Sequence, residues 1–135
     1  MSTPITQGVH HLGLTVSDLE AARDFFVKAL RFKLLGESAD YPAAFVSDDS
    51  TTITLWAADQ NAAQFDRRCN IGLHHAAFKV RSADALKSLY VDLSEWPDSE
   101  LEGEISAPSK GSAARHFFIR MPGGPRIEFW TSGEE

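Results

Sequence analysis

Two imidazoles and one carboxylate, His11, His75 and Glu128, stand at matching places in a sequence that repeats itself. The stretch Gly8-Val9-His10-His11-Leu12-Gly13-Leu14-Thr15-Val16 returns as Gly72-Leu73-His74-His75-Ala76-Ala77-Phe78-Lys79-Val80. A shorter echo follows each copy, Thr52-Ile53-Thr54-Leu55-Trp56 and then Arg126-Ile127-Glu128-Phe129-Trp130. With side chains alternating along strands, all three groups face away from the apolar, helix-covered side and line one concave surface. Two imidazoles and a carboxylate can hold a divalent ion at one face and leave its other positions open to substrate or water. Iron, manganese, zinc, nickel and cobalt all suit such a set. The ion would serve as a Lewis acid for a chelating substrate oxygen. The competing reading is a solvated groove that simply tolerates polar side chains.

Other residues share that surface. Trp56 and Trp130 occupy equivalent places, where their rings would wall an apolar pocket or pack between the two copies. His116, Phe118 and Arg120 have one parity; if it is the concave one, Arg120 could clamp an anionic group and His116 could move protons. Surface placement is the alternative for both. His10 and His74 alternate to the opposite face, as partly buried rings or as outer partners of a ligand. Glycine-rich phosphate loops, Ser-His-Asp signatures and zinc-finger spacings are absent, which argues against a nucleotide enzyme or a simple hydrolase.

The elements that must position these groups are legible in outline. Residues 9–16 read as a strand with Leu12, Leu14 and Val16 on one face. Ser17-Asp18-Leu19-Glu20 reads as a capping box with Ser17 at the N-cap, opening a helix to about Leu30. Strands are expected at 32–36, 43–47 and 52–57, giving a βαβββ module over about 8–58. A polar linker of about 59–70 leads to a second module of about 71–132. There Ser82 caps a helix that Trp96-Pro97 stops, with strands near 103–106, 116–120 and 125–131. The expected architecture is α+β: two paired βαβββ modules forming a cupped, mostly antiparallel sheet with helices on its outer face.

Composition narrows the setting. The 135 residues suit one domain, and 43% hydrophobic content argues against disorder. A net charge of −6 without a basic run disfavours nucleic acid. No stretch approaches a membrane span, and the start of the chain has no signal-like pattern. Cys69 is the only cysteine, which excludes an internal disulfide and a cysteine zinc cluster and suits the cytoplasm.

The chain resembles the vicinal oxygen chelate superfamily, which includes glyoxalase I, fosfomycin-resistance proteins, extradiol dioxygenases and bleomycin-resistance proteins. The resemblance rests on His11-x-x-Leu14-x-Val16-x-Asp18-Leu19, on Phe25-Phe26 and Leu30-x-Phe32, on His75-x-x-x-x-Val80, and on Pro122-Gly123-Gly124-x-x-Ile127-Glu128. It implies metal binding by His11, His75 and Glu128, a cupped site, and a homodimer, with the site inside one chain or across the dimer. The position of the fourth ligand of glyoxalase I, normally a glutamate, is Thr54 here. Thr54 therefore joins Trp56, His116, Arg120 and Trp130 as candidate substrate-binding residues. Where extradiol dioxygenases carry a tyrosine and an aspartate, this chain has Phe118 and Met121.

The expected function is thus metal-dependent activation of a small substrate that chelates through adjacent oxygens, with Glu128 also able to act as base. A non-catalytic cup that sequesters a small molecule, as bleomycin-resistance proteins do, is the alternative. A metal-stabilised dimer without substrate is a third reading.

Overall fold

The computed structural model describes residues 2–133. Strand β1 (His11–Val16) leads into helix α1 (Leu19–Asp24), whose last turn widens to a π turn over Phe25–Ala29. Strands β2 (Lys33–Ser38), β3 (Ala43–Ser47) and β4 (Thr52–Ala57) complete the first module. The second runs β5 (Ala76–Lys79), α2 (Ala83–Ser94), β6 (Glu100–Leu101), β7 (Arg115–Arg120) and β8 (Arg126–Thr131). The class is α+β, built from two βαβββ modules.

Hydrogen bonding divides the strands into two four-stranded sheets of the same plan, β1-β4-β3-β2 and β5-β8-β7-β6. In each, the first strand runs parallel to the last and the remaining pairs are antiparallel. β1 and β5 are therefore both edge strands.

Alternation sorts the side chains as the sequence suggests: Leu14 and Val16 are buried, while His11, Gly13 and Thr15 are exposed. The buried faces of both sheets and both helices share one core. Phe26 and Phe32 of the first module meet Phe78 of the second, with ring centroids 6.1 and 5.9 Å apart, and Phe25 meets Trp96 at 6.4 Å. Each buried phenylalanine contributes about 1.5–3 kcal/mol by leaving water, so these contacts between modules add to the stability of both.

The backbone also joins the modules. The Ser17 amide donates to the Gly123 carbonyl at 2.9 Å. Gly123 is in the left-handed region at φ +93°, and a Cβ there would lie 2.9 Å from the Val16 Cβ. Only glycine fits that turn.

Two expectations change. The helix cap is Asp18, whose carboxylate accepts from the Ala21 amide at 3.0 Å; the Ser17 hydroxyl is instead directed to the Gly123 carbonyl. Ser82 caps α2 as expected. In the second module the strand expected at 103–106 lies earlier, at Glu100–Leu101, with Ser106 making only an isolated bridge to His116. Gly103, at φ +99°, turns the chain out of the sheet between them. No helix among the described residues is long and apolar enough to cross a membrane.

Candidate functional site

The second sheet gathers a carboxylate and two imidazoles. In β8, Glu128 alternates with Ile127 and Phe129 and so faces away from the helix, opposite Ala77 of β5 and Phe118 of β7. His75 stands one residue before β5, two residues from Ala77 and therefore on the same face. His116 lies diagonally across from Glu128, within reach of a long side chain. His75 Nε2 sits 3.1 Å from Glu128 Oε1, and His116 Nδ1 sits 2.8 Å from Glu128 Oε2. The carboxylate is buried, and a buried carboxylate requires such partners.

An aromatic and cationic border surrounds this group. The Phe118 ring meets His75 and His116 edge to face, with centroids 5.4 and 5.2 Å away. The Arg126 guanidinium lies 3.9 Å over the Phe118 ring and donates from Nε to both carboxylate oxygens of Glu102, at 3.0 Å each. Arg126 escaped the sequence reading, although its separation of two from Glu128 places it on the same face.

The first sheet presents a different set at the equivalent register. Gly13 pairs with Thr54 as Ala77 pairs with Glu128, so Thr54 takes the place of the glutamate and His11 that of His75. The Trp56 indole N–H donates to Thr54 Oγ1 at 2.9 Å. A methyl on Gly13 would approach that oxygen to 3.2 Å, so the hydroxyl and indole sit directly over the glycine. Tyr41 and Phe45 flank Trp56 at ring distances of 4.9 and 5.9 Å.

Both histidine pairs make the same contact. His10 and His11 approach Nδ1 to Nδ1 at 3.0 Å, His74 and His75 at 2.8 Å. His10 and His74 are exposed rather than partly buried, because both lie ahead of the strands, which begin at His11 and Ala76, and so are not turned into the core by strand alternation. Desolvation, then the positive charges of Arg126, His75 and Arg67, lower the pKa of His74 against an opposing pull from Glu102. A neutral His74 can accept a hydrogen bond from His75 Nδ1–H.

The structure thus brings His75, Glu128 and His116 together on one sheet and His11, Thr54 and Trp56 on the other. Trp130 lies opposite His116 in the sheet. Arg120 is drawn to Glu100 at 2.9 Å, toward the β6 edge. Within one chain, no three His, Cys, Asp or Glu side chains among the described residues converge as a metal site. His75 and Glu128 nonetheless fit two adjacent ligand positions. Metal bonds of about 2.0–2.2 Å place neighbouring ligand atoms roughly 3 Å apart, as these are.

Comparison with known proteins places the fold. A glyoxylase/bleomycin resistance protein/dioxygenase domain from Frankia sp. EAN1pec is 22% identical, with 93% of this chain and 92% of that one covered at a TM-score of 0.76. FosX, a fosfomycin resistance protein from Listeria monocytogenes, is 16% identical over 94% of each chain, at 0.72. A lactoylglutathione lyase from Agrobacterium tumefaciens is 14% identical over 95% and 96%, at 0.71. These likenesses are of fold. No curated protein matches the sequence. The model of one family, however, matches residues 8–129, nearly the whole chain with both modules and Glu128. The chain belongs to the Glyoxalase/Bleomycin resistance protein/Dioxygenase superfamily.

Proposed function

We propose that the protein is a metal-dependent enzyme whose site is completed by a second copy of the chain. In this reading one divalent ion is held by His75 and Glu128 of one copy and His11 of the other. The observation that carries it is the 3.1 Å approach of His75 Nε2 to Glu128 Oε1 on one sheet, with His11 at the matching position of the other. The two edge strands supply the means of assembly. Among the described residues β1 and β5 have no strand neighbour on their outer sides, and Ile5, Val9, Ile71 and Leu73 are exposed in the segments leading to them. Apolar side chains beside open strand edges favour pairing with another chain. A two-fold pair would give two such sites.

A bound divalent ion would supply Lewis acidity to two adjacent oxygens of a small substrate. The chain's own groups orient that substrate. Thr54, already accepting from Trp56, has its own O–H left to donate. Trp56, Tyr41, Phe45 and Phe118 offer apolar ring faces, and Arg126 offers positive charge held in place by Glu102. Glu128 can accept a substrate proton through its carboxylate. Trp130 and His116 face the same side, whereas Arg120 would need to leave Glu100 to take part. A small molecule, rather than nucleic acid or a membrane, is the partner this surface suits, and the single Cys69 suits the cytoplasm.

The test is stoichiometric metal analysis of freshly purified protein with Glu128→Gln and His75→Ala beside it. Bound metal should fall by more than about 100-fold in affinity in both variants, beyond the loss of an outer partner alone. Equal metal in all three proteins rejects the reading. The aromatic tray around Trp56 favours a second reading, a sequestering protein, for which ligand affinity survives chelation unchanged.

A further inference from the structure

We propose that His116 is a positioning residue which, by holding Glu128 Oε2, leaves only Oε1 free to bind the metal. This rests on the metal reading above. Glu128 is buried and both its oxygens are engaged: Oε1 faces His75 Nε2, and Oε2 lies 2.8 Å from His116 Nδ1. With Nδ1–H donating, the imidazole fixes the carboxylate's rotation and occupies the oxygen that would otherwise permit bidentate binding. The His116 ring is itself restrained, with only 17% of its side chain exposed and its edge against Phe118.

The duplicated frame argues that this contact serves the carboxylate rather than the sheet. Ala43 pairs with Trp56 in the first sheet as His116 pairs with Trp130 in the second, so Ala43 is the counterpart of His116. Where the sheet carries threonine in place of glutamate, it carries alanine in place of histidine. The strand pairing forms equally well without the imidazole. Its presence follows the acid.

The experiment compares cobalt(II) affinity, by competition with a chelating dye, and cobalt absorption spectra for wild type, His116→Ala, His116→Asn and His75→Ala. His116→Ala should bind about 10–100-fold more weakly, with a changed spectrum as Glu128 gains a second bond to the ion. His116→Asn should restore both, because the asparagine amide N–H can occupy the place of Nδ1–H. His75→Ala should lose the metal altogether. Wild-type affinity and spectrum in His116→Ala overturn the inference. So does a His116→Asn variant as empty as His75→Ala, which marks His116 as a direct ligand. Undiminished cobalt binding in His75→Ala overturns the metal reading and this inference with it. Thermal unfolding of the metal-free variants supplies the control: His116→Asn melting with wild type while failing to restore the spectrum also counts against the proposal.

Discussion

The two modules have one topology and one register, yet they present different chemistry on the same face. In the second, a buried glutamate lies between two imidazoles. In the first, the corresponding place holds a threonine under an indole, and the second imidazole is replaced by Ala43. The backbone supplied by duplication fixes where a group can stand and leaves its identity free. One copy gathers a buried carboxylate and two imidazoles while the other keeps one histidine, a neutral hydroxyl and a set of aromatic faces. A mononuclear site needs only one carboxylate, and a second buried one nearby would add repulsion and desolvation cost.

The most direct way to break this comparison is to separate its halves. His11→Ala and Glu128→Gln proteins, each unable to hold the ion, should regain it when unfolded together and refolded. Mixed pairs then carry one intact site, about a quarter of all sites for random association through a two-fold interface. Metal analysis of the mixture reads this directly, and no recovery shows that the modules do not serve one another across copies.

Next in size is the joint between modules. Gly123→Ala forces a side chain into the left-handed region and against Val16, which should cost about 1–3 kcal/mol in denaturant melts. The loss should appear as one cooperative transition for both modules. Two separated transitions would show that the halves are independent.

The division of labour predicts a smaller and selective effect at Trp56. Trp56→Ala should retain full metal content while weakening binding of an aromatic ligand by about 0.5–1.5 kcal/mol, the usual scale of a lost ring contact. Loss of metal instead would remove the distinction between the faces. Smallest, Asp18→Ala should lower stability by about 1 kcal/mol through loss of the helix cap, and Ser17→Ala by less. Equal effects in chemical denaturation would restore Ser17 as the cap.

Much of this was readable from residue order. Strict alternation around Leu14, Val16, Ile127 and Phe129 placed His11 and Glu128 on the uncovered face, because strand periodicity leaves no other choice. Parity says which face, not which sheet lies near which. How near His11 comes to His75 within one chain therefore depends on how the core joins the modules through Phe26, Phe32 and Phe78. The His116 bond was out of reach for a related reason: it depends on the exact β7–β8 register, which is fixed only once the hairpin at Gly123 closes. Ser17 and Asp18 are both good caps, and the choice between them followed from the competing Gly123 carbonyl. Gly103 displaced the short β6 because an edge strand of two residues leaves almost no pattern to read.

The bond between Ser17 and Gly123 spans 106 positions of the chain. The joint at the start of α1 therefore closes only once the hairpin at Gly123 has formed, because Gly123 packs against Val16 and Ala22. Contacts of such long sequence separation form slowly, so the two modules should take their shape together in one late step rather than one after the other.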